Sequence, residues 1–249
     1  CGLKVQVPEW ESMPKLQDIF RISEYYLTFS FFMSIAPVIT AAGKNSRMRK
    51  DQLARNIDVK NKLILPFKNK TVIETTIDNA LSSNADACIV VLGHYASEIK
   101  EAIYDNYKGQ VKFVENNPVD VGLSTSLYNG LSNMDSDFAL CITADQPTVS
   151  TETFDRMIEV SQKSEDPFHT ISILRRRKTG LLDTADGLGM PFVAPRLNLM
   201  KYLENEDDNL NPILRKIFAD GYTFYGIKEK NKKELLNINH YEDYLNLLD

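Results

Sequence analysis

The sequence predicts an α/β fold of three layers, α/β/α, with helices on both faces of a mostly parallel, mixed sheet. Two observations carry this. From Ser34 onward, short apolar β-rich runs alternate with amphipathic helical stretches, the order that builds a doubly wound sheet through crossover helices. The run Phe138–Thr143 is almost continuously apolar, as suits a strand covered on both faces. In chain order, Ile35–Thr40 reads as a strand, Val72–Ser83 as a helix, Ala87–Leu92 as a strand, and Ala96–Tyr107 as a helix with Ile99 and Ile103 on one side. Val111–Glu115 is a strand, Ser124–Met134 a helix, Phe138–Thr143 a strand and Thr151–Gln162 a helix. The second half is less regular: His169–Leu174, Pro191–Ala194, Tyr222–Ile227 and Glu234–Ile238 read as extended, and Leu197–Leu203, Asn211–Ala219 and Tyr241–Leu248 as helices.

The chain has 249 residues, 43% of them apolar and 25% charged, with 34 acidic and 29 basic side chains. That is enough to bury a core without staples. Its three cysteines (Cys1, Cys88, Cys141) are far apart and form no C-x-x-C pair. A disulfide framework and a thiolate zinc site are therefore not expected, and a reducing cytoplasm fits. A net charge of −5 and three scattered histidines argue against nucleic-acid binding and against a histidine metal cluster. The apolar stretch Leu27–Ile39 is interrupted by Pro37 and falls short of the roughly 20 residues a membrane span needs. Residues 1–32 read as an appended segment, the tail of an upstream domain or an addition at the gene start, which leaves 33–249 as one domain. The basic run Arg175–Lys178 ends a strand, where it is either a solvated strand end or an anion contact.

No P-loop, dinucleotide fingerprint or H-E-x-x-H is present. The informative stretch follows the first strand: Ala41-Ala42-Gly43-Lys44-Asn45-Ser46-Arg47-Met48. Small residues at a strand end let the backbone turn tightly, and successive N–H groups of such a turn form a concave anion site. Lys44 and Arg47 add charge, and Lys62 follows in Asn61–Phe67, so a triphosphate has donors and cations enough. Asp145, at the end of the strand Phe138–Thr143, can be aimed into the crevice beyond the sheet and hold a hard cation such as Mg²⁺. Asn237 and Asn239 are two apart, with Ile238 between them. We expect Asn239 to be the second metal ligand, through its amide oxygen. Ser124 either caps the helix that follows or lines a base pocket with Ser126 and Gly122.

Four ordered stretches resemble the MobA/MocA-like nucleotidyltransferases, which include the molybdenum-cofactor cytidylyl- and guanylyltransferases. They are Ala41–Met48 with Lys62–Pro66, Asn117-Pro118 with Gly122–Leu131, Thr143-Ala-Asp145-Gln-Pro147, and Asn237-Ile-Asn239-His-Tyr-Glu-Asp243-Tyr. The resemblance implies a Rossmann-like, nucleotide-diphospho-sugar-transferase-like domain. In it Arg47, Lys62 and Asp145 serve catalysis, Ala41, Ala42, Gly43, Lys44, Ser46, Gly122, Ser124 and Ser126 bind nucleotide, and Asp145 and Asn239 hold Mg²⁺. It implies transfer of a nucleoside monophosphate to a phosphorylated small-molecule acceptor with release of pyrophosphate. CTP is favoured over GTP by Ala41-Ala42-Gly43 and Asp145-Gln-Pro, and molybdopterin is the first acceptor. A phosphorylated alcohol, a sugar phosphate, or a silent nucleotide-binding module are the alternatives. The chain departs from the family pattern at Arg49, at His240-Tyr241 and in the extra stretch Asp51–Lys60. That stretch spaces Arg47 and Lys62 further apart, as in sugar-nucleotide pyrophosphorylases, which points to a substrate other than a pterin; the alternative is a lid folded over the triphosphate, with Lys50 or Arg55 supplementing Arg47.

Overall fold

A computed structural model describes residues 33–174 and 178–248. The appended-segment reading of 1–32, and all of the basic run but Lys178, lie outside the described residues. The strands are β1 (Ile35–Ala41), β2 (Pro66–Phe67), β3 (Lys70–Thr71), β4 (Cys88–Leu92), β5 (Val111–Glu115), β6 (Phe138–Thr143), β7 (Thr170–Leu174), β8 (Gly180–Leu181), β9 (Phe192–Pro195) and β10 (Thr223–Ile227). Strands β2 and β3 form a small hairpin, and the others one eight-stranded sheet of order β5-β4-β1-β6-β9-β7-β10-β8. Within it β9 runs antiparallel to β6 and β7, and β8 antiparallel to β10, while the other pairings are parallel.

The helices are α1 (Ser46–Ala54), α2 (Val72–Leu81), α3 (Ala96–Tyr107), α4 (Leu123–Leu131), α5 (Thr151–Gln162), α6 (Arg196–Leu203), α7 (Leu210–Ala219) and α8 (Tyr241–Leu248). Alternation along each strand decides which helices it meets. In β1, Ile35 and Ile39 join the core under α2, α3, α5 and α8, with Ile73, Ile99, Phe154 and Leu247. Ala36 and Val38 face the core under α4, α6 and α7, with Leu127, Leu199 and Leu214. This is the expected three-layer α/β architecture, with buried apolar residues on both sides of the sheet.

Helix α4 approaches the sheet closely because it carries a glycine on its inner face. A Cβ at Gly130 would lie 2.4 Å from Val38 Cγ1 and 2.8 Å from Val91 Cγ2. Gly130→Ala is therefore expected to destabilise the domain by about 1–3 kcal/mol, the usual cost of overpacking. A thermal melt unchanged within a degree would contradict that close fit. Cys88 and Cys141 are free and buried. Burial pushes the Cys88 thiol up to about 12, which makes it a core residue and not a nucleophile.

Two expectations are corrected. Glu234–Ile238 is not a strand: a 3₁₀ turn spans Lys232–Leu235, begun by Asn231, whose side chain accepts from the Lys233 N–H. The fully buried Glu234 carboxylate turns inward to the start of α5, so local capping wins over extension. The extra stretch is not a free lid. It begins as α1, and Asp51 accepts from the Tyr241 N–H at 3.0 Å and contacts His240 Nδ1 at 2.9 Å. These contacts hold the Asp51 carboxyl below the usual carboxylate range. Arg55 pairs with Glu242 at 2.8 Å and lies over the Tyr241 ring, so it is spent on tying α1 to α8.

Candidate active site

Strands β1 and β6 are parallel neighbours in the register Thr40↔Thr143, so the loops that leave them start side by side. This is where ligands bind in open α/β sheets, beyond the strands' carboxyl ends. A cavity of about 290 Å³ opens there, and among its walls are Ala41, Ala42, Gly43, Arg47, Lys62, Ser126, Asp145 and Asn239. The cavity thus gathers residues spread over some 200 positions of sequence.

Asn45 brings Lys62 to it. Asn45 is in the left-handed region (φ 55°) ahead of α1, a conformation asparagine tolerates. Its amide donates to the Lys60 carbonyl at 3.2 Å and its Oδ1 accepts from the Lys62 N–H at 3.3 Å. The buried Gln52 accepts from the Lys60 N–H at 3.2 Å. The stretch between Arg47 and Lys62 is so closed into a loop whose two ends meet at the cavity. Asn45 itself lines the wall and was missed in the sequence. Its signal was an Asn after a strand-end glycine and lysine, a position that needs αL backbone.

Lys62 Nζ donates to Asp145 Oδ2 and to the Ile238 carbonyl, each at 2.5 Å. The pair is largely shielded, with side-chain exposures of 16% and 14%, so water screens it little. The other oxygen, Asp145 Oδ1, is buried and has no hydrogen-bond partner, a costly state for a carboxylate oxygen unless something else meets it. Asn239 Oδ1 accepts from Arg47 Nη2 at 2.8 Å. Asn237 turns elsewhere, accepting from Gln146 Nε2 at 3.1 Å, while Gln146 Oε1 accepts from Thr143 at 2.7 Å. With the Ile238 N–H donating to the Asp145 carbonyl at 3.0 Å, these bonds clamp residues 237–239 along the end of β6.

No group of three or more His, Cys, Asp or Glu suited to a metal occurs among the described residues. One unpartnered carboxylate oxygen and one amide oxygen suit a hard cation such as Mg²⁺, which takes few protein ligands and keeps waters and phosphate oxygens.

Four predicted nucleotide-binding residues are not on the wall. Lys44 pairs with Asp120 at 2.6 Å, which holds the Asp120 carboxyl below its usual range. Ser46 is exposed at the start of α1. The Gly122 N–H donates to the Asp207 carboxylate, and a Cβ there would lie 2.7 Å from Asp207 Oδ1. The glycine serves the close approach of that loop. Ser124 is fully buried, donating to the Glu206 carbonyl at 2.9 Å and accepting from the Asp208 N–H at 2.8 Å. Ser126 does line the cavity, its hydroxyl fixed by donation to the Gly122 carbonyl at 3.0 Å and acceptance from Asn116 Nδ2 at 2.9 Å.

Comparison with known proteins gives a family and a fold. The model of the MobA-like NTP transferase domain matches residues 37–219. A nucleotidyl transferase from Methanothermobacter (Mth528) is 42% identical, with a TM-score of 0.80, covering 87% of this chain and 96% of that one. Rv0371c from Mycobacterium tuberculosis H37Rv, solved in complex with manganese, is 23% identical with a TM-score of 0.59, covering 87% of this chain and 98% of that one. Among curated proteins, the bifunctional protein GlmU of Francisella philomiragia is 27% identical over 176 residues, 71% of this chain. The chain spans about a third (34%) of that relative's length. No helix among the described residues is long and apolar enough to cross a membrane.

Proposed function

Because the chain belongs to the MobA-like NTP transferase domain family, a family of nucleotidyltransferases, we propose that it transfers CMP from CTP to a phosphorylated small-molecule acceptor, releasing pyrophosphate. Molybdopterin is the first acceptor. The observation that carries the proposal is the gathering in the walls of one strand-end cavity of Asp145, whose Oδ1 is buried and unpartnered, with two cations, Lys62 on its Oδ2 and Arg47 on Asn239.

No protein nucleophile is needed. The acceptor phosphate attacks the α-phosphorus, the bond to the β-phosphate oxygen breaks, and pyrophosphate leaves with the electron pair. The chain's part is positioning and charge neutralisation. The small residues Ala41, Ala42 and Gly43 leave room for phosphates to reach the backbone, and Arg47 and Lys62 supply the charge. Ser126, with its hydroxyl held by Asn116, presents a small wall against which a base can lie. Asp145 and Asn239 would hold a Mg²⁺ ion, which supplies neutralisation of phosphate charge when bound. The motif likenesses at Ala41-Ala42-Gly43 and Asp145-Gln-Pro147 support CTP.

One feature favours a second acceptor class. The stretch Asp51–Lys60 sets Arg47 and Lys62 further apart in sequence than the MobA/MocA-like pattern, as sugar-nucleotide pyrophosphorylases also do, and that spacing supports a substrate other than a pterin.

The test is pyrophosphate release with Mg²⁺ and each of CTP, GTP, UTP and ATP, against molybdopterin, phosphocholine, methylerythritol phosphate and a hexose 1-phosphate. Release is expected with CTP and one acceptor. Faster turnover of GTP than CTP at equal concentration would overturn the cytidine assignment. CTP binding with no release across the grid would favour a silent nucleotide-binding module.

A further inference from the structure

Both residues that would ligate the metal are engaged in the free protein by the side chains that would grip the nucleotide, Asn239 through its amide oxygen and Asp145 through Oδ2, with Asp145 Oδ1 left unpartnered beside the ammonium. Lys62 Nζ is on Asp145 Oδ2 at 2.5 Å, and Arg47 Nη2 is on Asn239 Oδ1 at 2.8 Å. The pairing is one to one. A divalent cation arriving first meets a carboxylate whose charge is already matched by an ammonium in a poorly screened place, and an amide oxygen turned to a guanidinium. A triphosphate arriving first offers both cations a more highly charged partner, and Arg47 is exposed to it.

We propose that Arg47 and Lys62 exchange partners when nucleotide binds, leaving Asn239 and Asp145 for the triphosphate and so opening the cation site. The proposal rests on the nucleotidyltransfer reading above. It makes the two side chains gatekeepers of metal binding as well as phosphate ligands, and it assigns the metal a place after, or together with, the nucleotide. Asp145 Oδ1 is the point of first contact, being buried and unpartnered, but one oxygen beside an ammonium is a weak site. Linkage then requires that whatever draws the cations off raises metal affinity, and that metal in turn favours the nucleotide-bound arrangement.

The exchange is tested by Mn²⁺ binding to the nucleotide-free full chain, read by loss of the free-ion electron paramagnetic resonance signal. Removing the ammonium in Lys62→Met is expected to tighten Mn²⁺ binding about tenfold, within the ordinary range of coupling between two sites. Arg47→Met is expected to tighten it by a smaller factor, and Asp145→Asn to abolish it. Folded Lys62→Met with Mn²⁺ affinity equal to or weaker than wild type would overturn the exchange. Should Lys62→Met fail to fold, Arg47→Met carries the test, because Arg47 is exposed; unchanged affinity there overturns the proposal equally. Pyrophosphate release by wild type, with no gain of Mn²⁺ affinity in the variants, would sink the exchange and leave the reaction standing. A gain of affinity with no release on any nucleotide would do the reverse.

Discussion

Asp145→Asn is expected to lower Mg²⁺-dependent pyrophosphate release by roughly 10³-fold or more, a barrier increase of about 4 kcal/mol. The size follows from what the carboxylate does in two directions. Oδ1 is the one buried side-chain polar atom without a partner among the described residues, so it is the atom with spare capacity for a cation. Oδ2 holds Lys62, so the same change strips the lysine of its counter-charge in a shielded place. Asparagine keeps the shape and one acceptor, which is why the fold is expected to persist with lower stability. The measurement is steady-state release beside a thermal melt. Wild-type activity in a folded Asp145→Asn protein would remove Asp145 from the chemistry.

Most of the sheet was legible in the sequence because its strands are short apolar runs and its inner helices carry apolar residues at helical spacing. Helix α1 was not. Of its nine residues only Met48 and Gln52 are buried, so it shows no apolar stripe, and its stability comes from contacts with α8 and from Gln52 gripping the returning chain. The site divides in the same way. Arg47 and Asp145 fall together because they follow β1 and β6, parallel neighbours whose ends can be read locally, whereas Lys62 is carried in by the Asn45 and Gln52 bonds and Asn239 by the bonds along residues 237–239. Ser124 and Ser126 occupy equivalent places in one motif. Which of them faces the cavity is decided by the loop around Glu206–Asp208, more than 80 residues away, which claims Ser124. Lys44 carries the charge of a phosphate ligand, but it pairs with Asp120 and does not line the cavity, which the local sequence does not show. Local sequence reports a side chain's chemistry, and the competing partner is set by tertiary structure.

Glu234→Ala is expected to cost about 3 kcal/mol or more of stability, since each buried donor left without an acceptor costs about 1–3 kcal/mol. The fully buried carboxylate accepts from the Ser150 N–H at 3.1 Å, the Ser150 hydroxyl at 2.7 Å, the Thr153 hydroxyl at 2.8 Å and the Lys230 N–H at 2.8 Å. It thus supplies the start of α5 with an acceptor from a segment about 80 residues later, where a negative charge is also favoured by the helix dipole. The same anchor precedes Ile238 and Asn239, whose seats beside Asp145 depend on where residues 231–239 run. Urea unfolding should therefore show a lower midpoint for Glu234→Ala. Glu234→Gln should lie between it and wild type, because an amide keeps one acceptor oxygen but turns N–H groups toward donors. A loss below about 0.5 kcal/mol, the range of an ordinary surface change, would mean that these donors find other partners. In that case the path of the 231–239 segment would be fixed by its other contacts, among them the Thr148 hydroxyl on the Lys233 carbonyl, Gln146 Nε2 on Asn237 Oδ1 and the Ile238 N–H on the Asp145 carbonyl.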